Sequence, residues 1–152
     1  MLIHTYARLT CSVAILTLAT ACASGEHVWR RAQTEDQHNT VSLVELIANP
    51  DKYDGWKVDV TGYLHCVFEG ELLFLSSHDL RDYTTENAVG IACRYNTIGF
   101  SDPDARQWHG HRVTIGGTFH GRPRKQLMEG EIHLGSWVTG TIDPIDYIFI
   151  YE

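Results

Sequence analysis

The sequence predicts a mainly-β protein whose domain is a small, closed or nearly closed barrel of about five strands with one short helix at its start. Three observations predict this fold. Apolar side chains recur at every second position over several short stretches, which is the period of a half-buried strand. Turn residues such as Asp54-Gly55 and Glu69-Gly70 precede or separate these stretches. The length of 152 residues suits a single domain.

The helix is expected immediately before the first strand. Ser42 and Glu45 fit a capping box, and Val41 and Leu46 occupy the two positions of a hydrophobic staple. Because Pro50 disfavours the helical conformation of the residue before it, the helix should end after about two turns.

The strands are expected in chain order after this helix. In the first, residues 56–68, the apolar positions share one parity and Gly62 interrupts the pattern, which favours a bulge or bend. Further strands are expected at 71–75, 88–95 and 111–120, and less regular ones near 132–138 and 147–151. The segments 76–87 and 96–107 are predicted to be loops. Closing the sheet into a barrel leaves few exposed edges.

Residues 1–21 are predicted to be a secretory signal peptide. They contain one basic residue, Arg8, then an apolar run over 9–19 and an ending of small residues. The run is too short to span a bilayer, which needs roughly 20 apolar residues. Residues 22–40 are polar and lack a period, so they predict a tether. The domain then occupies 41–152.

The end of the signal segment, Ala-Thr-Ala-Cys at 19–22, resembles the lipobox of bacterial lipoproteins. The resemblance implies that Cys22 becomes the first mature residue and carries acyl chains that anchor the protein to a membrane. The alternative is cleavage after Ala21 or Ala23, with Cys22 incidental. Either reading predicts export to the bacterial cell envelope, as a membrane-anchored lipoprotein or a periplasmic protein.

A longer resemblance covers the start of the domain. Residues 42–76 resemble the opening of a recurring group of uncharacterised bacterial lipoproteins. Members of the group share the pattern S-L-x-x-L-I-x-N-P-x-K-Y-D-G-x-x-V-x-V-x-G-Y-L, which residues 42–64 match here. Residues 113–119 resemble a later segment of the same group. The resemblance implies an OB-like barrel and brings no catalytic residue with it.

Charge and missing motifs exclude several classes of function. The chain has 12 basic and 19 acidic residues and a net charge of -7, which argues against a nucleic-acid partner. It lacks a Gly-x-Ser-x-Gly elbow, a phosphate-binding Gly-x-x-x-x-Gly-Lys and a dinucleotide fingerprint. We therefore expect neither an enzyme nor a bound cofactor.

Two cysteines of the domain are a candidate disulfide. Cys66 and Cys93 fall on the apolar parity of two predicted strands, and an oxidising compartment would allow them to pair. The alternative is a pair of buried thiols that act as small hydrophobic side chains.

Candidate ligand residues follow from the OB-like fold, in which the face of strands 2–3 and the loops after strands 1 and 4 commonly hold ligands. Arg122, Arg124 and Lys125 would form a basic patch in the loop after the fourth long strand. Tyr63 and His65 could offer stacking surfaces. The expected partner is an envelope protein or glycan. The alternative is a solvated hairpin tip and ordinary strand residues.

The nine histidines raise metal binding as the alternative function. His109 and His111 would share one face if that piece is extended, and together they could bind zinc or copper. The sequence lacks the Cys-x-x-Cys and His-Glu-x-x-His spacings of stronger metal motifs.

Overall fold

The computed structural model describes residues 28–30, 37–67, 70–92, 102–121 and 138–151. The strands of this part of the chain are β1 (Val28–Arg30), β2 (Asn39–Thr40), β3 (Lys57–Val67), β4 (Gly70–Phe74), β5 (Ala88–Ile91), β6 (Arg112–Gly121) and β7 (Gly140–Ile150). Its helices are α1 (Leu43–Ala48), α2 (Ser77–Asp82) and α3 (Asp102–Trp108). Two short 3-10 turns lie at Pro50–Lys52 and Thr85–Asn87.

Five strands close into a barrel in the order β3-β4-β5-β7-β6 and back to β3. The β5–β7 pair is parallel and the other four pairs are antiparallel. Strand β3 makes closure possible because its first part, Lys57–Tyr63, pairs with β6, whereas Tyr63–Val67 pairs with β4. The predicted fold class, a mainly-β protein with a small five-stranded OB-like barrel, is confirmed.

The main core fills the barrel with side chains of one strand parity. In β3 these are Val58, Val60, Leu64 and Cys66, each fully buried, as the alternation predicts. Gly62 interrupts the pattern because β4 crosses closely at this point. A Cβ placed at Gly62 would lie 2.7 Å from both the Leu73 side chain and the Phe74 carbonyl oxygen.

Strand β4 is buried on both faces, which explains its continuous apolar sequence. Leu73 points into the main core. Leu72 and Phe74 point outward and form a second, smaller core with Ala88 and Val138. Tyr63 of β3 and Leu80 of α2 pack against this second core. Helix α2 therefore covers part of the outer face of the barrel.

Helix α1 has the start and end that its sequence predicts. The Ser42 hydroxyl accepts a hydrogen bond from the Glu45 amide at 3.1 Å, and the helix ends at Ala48, before Asn49 and Pro50. Leu43 and Leu46 are buried in the main core.

Helices α2 and α3 lie in segments that the sequence predicts as loops, and that part of the prediction is wrong. Ser76 caps α2 by accepting from the Asp79 amide at 3.1 Å, and Tyr83 ends it with a left-handed φ of 54°. Helix α3 contributes Ala105 and Trp108 to the main core. Each helix buries too few apolar residues to produce a readable helical period.

The N-terminal segment predicted as a tether contains two strands of the sheet. Strand β1 pairs antiparallel with residues 147–149 of β7, and β2 pairs in parallel with Val58 and Asp59 of β3. Residues 28–30 and 39–40 thus belong to the domain. The physical reason is that β3 and β7 each have a free edge. Strand β4 pairs with β3 only from Tyr63 onward, and β5 pairs with β7 only at 141–142. The edges of β3 and β7 that remain unpaired are covered by β2 and β1.

The last strand is longer and more continuous than its sequence predicts. Strand β7 begins at Gly140 and runs through Asp143 and Pro144, whereas the predicted strand begins near residue 147. Register shifts opposite Gly117 of β6 accommodate these residues. Within the described ranges, no helix is long and apolar enough to cross a bilayer. The predicted signal peptide lies outside those ranges.

Candidate functional site

The structure joins a predicted ligand residue, His65, to three other rings. From β3, the His65 ring centroid lies 5.9 Å from that of Phe74, 5.3 Å from Tyr83 and 5.0 Å from His109. We call these four residues the ring cluster. They come from β3, β4, the end of α2 and the turn after α3. Tyr63, the other predicted stacking residue, packs against the second core next to this cluster.

The ring cluster has a buried base and an exposed rim. Phe74 is fully buried, whereas Tyr83 is 50% exposed and His109 is also exposed. The rim position of Tyr83 follows from the end of α2, where its left-handed backbone lets its amide bond the carbonyls of Asp79 and Leu80. Exposed rings held on a packed base offer flat contact area at low entropic cost, which suits contact with the apolar face of a sugar ring or with a planar group.

The electrostatics of the ring cluster favour an uncharged His109. His109 is exposed but its imidazole is partly desolvated where it packs against the barrel; this partial desolvation lowers the pKa of His109, and the neighbouring His65 lowers that pKa further. A neutral imidazole presents one N–H donor and one nitrogen acceptor, so it can bond a ligand hydroxyl in either sense.

The structure separates the two histidines of the metal hypothesis. Gly110 has a positive φ of 86° within a turn, so His109, Gly110 and His111 do not form the extended piece that the hypothesis requires. The His109 ring contacts His65, whereas the His111 ring lies 5.1 Å from that of Trp108. Among the residues that the structure describes, no three His, Cys, Asp or Glu side chains are grouped to hold a metal ion.

Several predicted site residues lie outside the described residues. They are the lipidation candidate Cys22, the disulfide candidate Cys93, and the basic patch Arg122, Arg124 and Lys125. Cys66 is buried in the main core. The disulfide and the basic patch therefore stay predictions.

The sequence did not predict the polar network that lies on the outer face of β3 and β7. The carboxylate of Asp146, 1% exposed, accepts a hydrogen bond from the Lys57 ammonium, and its Oδ2 lies 3.1 Å from His38 Nε2. On the other side of the imidazole, His38 Nδ1 lies 3.2 Å from Asp59 Oδ1. That oxygen makes no hydrogen bond of acceptable geometry, so this second contact is a close approach of two polar atoms and not a hydrogen bond.

Burial and pairing oppose each other at Asp146. Burial raises its pKa, but hydrogen bonds from Lys57 and His38 outweigh burial and hold the pKa below its ordinary value. Burial likewise raises the pKa of Tyr147, and its hydrogen bond to Asp59 raises it further. Because His38 immediately precedes β2, this network fastens the N-terminal segment to the barrel.

A second surface, the aromatic strip, consists of Tyr147, Phe149 and Tyr151 on the outer face of β7. The alternating Ile148 and Ile150 point into the main core. The Phe149 and Tyr151 ring centroids are 4.9 Å apart. The Tyr147 ring lies directly over Gly116, where an added Cβ would be 2.1 Å from the ring atom Cε1.

Two arginines flank the aromatic strip. The Arg30 guanidinium carbon lies 5.9 Å from the Tyr147 ring centroid, and that of Arg112 lies 5.0 Å from the Tyr151 ring centroid. Both distances allow cation–π contact. Alternation of aromatic and isoleucine residues over 147–151 is a signal in the sequence that could have identified this surface.

Comparison with known proteins adds little to this picture. No family model and no curated protein matches the chain. One similar solved structure is a Leishmania major protein assigned as an aspartyl-tRNA synthetase. Its identity to the chain is 11% and its TM-score is 0.44, and the match covers 78% of this chain but only 22% of that chain. At that TM-score the likeness supports no argument about function.

Proposed function

We propose that the protein is an exported, lipid-anchored module of the bacterial cell envelope that binds an envelope glycan at the ring cluster. The observation that carries the proposal is a set of two exposed rings on a packed base: Tyr83 packs against the buried ring of Phe74, and His109 packs against His65. Export and the anchor at Cys22 rest on the signal sequence and the lipobox resemblance.

The position of the ring cluster is consistent with ligand binding by an OB-like barrel. In such barrels the face of the second and third strands commonly takes oligosaccharides or oligonucleotides. Here α2 and the second core cover part of that face on β4, so the rings beside α2 are the accessible continuation of it. With a net charge of -7, a neutral glycan is a better partner than a nucleic acid.

The chemistry of the ring cluster suits sugars. Apolar sugar faces pack on aromatic rings, and a neutral His109 supplies a donor and an acceptor for hydroxyl groups. A protein partner with an exposed aromatic side chain could use the same rings, and the experiment below separates the two partners.

The binding test uses chitotetraose as a soluble N-acetylhexosamine probe, with NMR shifts of the full mature chain as readout. Shifts should concentrate at residues of the ring cluster, and Tyr83→Ala should weaken binding at least tenfold. Leu75→Ala is the matched control, since the Leu75 side chain is also apolar and is 38% exposed. A spectrum unchanged at millimolar probe would overturn the glycan proposal and leave a protein partner to be sought by pull-down.

The anchor is tested separately by the intact mass of the native protein, with and without reduction and alkylation. A chain that starts at Cys22 with added acyl mass supports the lipid anchor. Alkylation of Cys66 and Cys93 only after reduction supports the disulfide. A mass that starts at Met1, with both thiols free, would overturn export.

A further inference from the structure

We propose that the aromatic strip, together with Val28 beside it, is the face of the barrel that rests on the membrane. Its rings would lie among the lipid headgroups, and Arg30 and Arg112 would contact lipid phosphates. This inference rests on the proposed lipid anchor at Cys22 and adds an orientation of the barrel to it.

The length of the chain between anchor and sheet supports close approach. Six Cα–Cα steps join Cys22 to Val28, the first residue of β1. At no more than about 3.6 Å per step, they span at most about 22 Å. A domain of about 100 residues has a radius of gyration of about 13 Å, so its diameter exceeds about 26 Å. The segment between Cys22 and β1 is therefore shorter than the diameter of the domain. An acylated Cys22 would therefore hold the β1 side of the barrel beside the bilayer.

The side chains next to β1 have the chemistry of a membrane interface. Val28 lies directly opposite Phe149 in the antiparallel β1–β7 pair, so both side chains are on the outer face. Val28 is 39% exposed and Tyr151 is 38% exposed. Tyrosine rings, with an apolar body and a polar tip, are enriched at the headgroup level of membranes.

Charge on this face also fits an anionic lipid surface. Arg30 and Arg112 are exposed at the two ends of the strip, on a chain whose net charge is -7. The two carboxylates nearest this face already have partners within the protein. Asp59 contacts Tyr147 and His38, and Asp146 contacts His38 and Lys57. Arginine pairs well with phosphate oxygens because its planar fork donates two parallel hydrogen bonds.

The experiment places an added tryptophan on each of two faces of the acylated full chain. Tyr151→Trp tests the strip, and Tyr83→Trp is the matched control on the ring cluster, since both tyrosines are exposed. Each variant is reconstituted in vesicles of phosphatidylethanolamine and phosphatidylglycerol at 3:1, with lipids brominated near the headgroup as short-range quenchers. The fluorescence of the parent chain, which has four tryptophans, is subtracted.

We expect the added signal at position 151 to fall by at least a third with brominated lipid, and the signal at position 83 to stay unchanged. Replacing both Arg30 and Arg112 by Glu should at least halve the quenching at 151. The control substitution Arg81→Glu, at an exposed arginine of α2, should leave that quenching unchanged. Vesicles of phosphatidylcholine alone should quench position 151 less than the anionic vesicles do.

Two results would overturn the proposal in distinguishable ways. If the chain carries acyl mass but position 151 is not quenched, the membrane face is wrong and the anchor stands. If there is no acyl mass and the chain does not sediment with vesicles, both fail. A concentration-dependent dimer in detergent that Tyr151→Glu disrupts would also overturn it, because a second copy would then be the occupant of the strip.

Discussion

Removing the Asp146 carboxylate should destabilise the domain more than removing any exposed carboxylate. The Asp146 side chain is 1% exposed and bonds Lys57 and His38, whose side chains are 31% and 7% exposed. In Asp146→Ala the Lys57 ammonium and the His38 imidazole both lose this partner. Breaking a fully buried ion pair from one side typically costs about 3–5 kcal/mol. Because the Lys57 ammonium can regain water, we expect a loss of about 2–3 kcal/mol here.

The loss is measured by urea unfolding and by calorimetry of the full mature chain. For a domain of roughly 100 residues, 1 kcal/mol shifts Tm by about 4 °C, so Tm should fall by about 8–12 °C. Asp82→Ala is the matched control: its carboxylate is 47% exposed and lies 3.3 Å from Arg81, and its loss should cost less than about 0.5 kcal/mol. A double-mutant cycle with His38→Ala should give a coupling of about 1 kcal/mol or more.

The same variant tests whether the network fastens the N-terminal segment. The Val41 amide bonds the Asp59 carbonyl at 3.1 Å, just after β2. Amide hydrogen exchange at Val41 should accelerate in Asp146→Ala more than exchange at Leu64 in the barrel interior does. A loss of stability below about 0.5 kcal/mol, or uniform acceleration at both amides, would refute the reasoning.

Three further outcomes follow from burial, close packing and ionisation. Leu64→Ala, at a fully buried position of β3, should cost about 3 kcal/mol by urea unfolding, against less than about 0.5 kcal/mol for Val44→Ala at a position 53% exposed. Gly116→Ala should cost about 1–3 kcal/mol because its Cβ displaces the Tyr147 ring; the same change made in a Tyr147→Ala background should cost clearly less, and an equal cost in both would contradict this account. Burial raises the pKa of Asp146, but the hydrogen bonds to its carboxylate hold that pKa below the ordinary value of 3.8. The ionised carboxylate therefore stabilises the folded state above about pH 4, and this stabilisation is lost as pH falls through the lower pKa of the folded state. Acid titration of Asp146→Asn should show a shallower loss of stability below pH 4, and a curve parallel to that of the parent chain would count against it.

Local pattern was enough to predict the elements whose burial repeats along the chain. The alternation of Val58, Val60, Leu64 and Cys66 specified which face of β3 enters the core, and the structure buries that face. Ser42 likewise predicted the start of α1, because an N-cap bond spans only three residues. Both signals depend only on residues close together in the chain, so they can be recognised in a single sequence.

Elements that depend on distant partners could not be predicted in this way. β1 and β2 are only three and two residues long, too short to show a period. Their strand conformation depends on free edges of β7 and β3, more than a hundred and about twenty residues away. The ring cluster is non-local too: His65 and His109 meet because the turn after α3 packs beside β3, through the bond from the Gly110 amide to the Leu64 carbonyl at 2.8 Å.

In the proposed membrane orientation, the N-terminal segment would link the stability of the barrel to its orientation. Strand β1, which covers a free edge of β7, begins six residues after Cys22, so the proposed lipid anchor would lie close along the chain to the sheet. His38, held between Asp59 and Asp146, fastens this segment close to the aromatic strip, because Tyr147 belongs to both surfaces. The ring cluster takes its residues from β3, β4, the end of α2 and the turn after α3, whereas the aromatic strip lies on β7, so the two proposed surfaces share no residue. The two proposals are therefore compatible within one molecule.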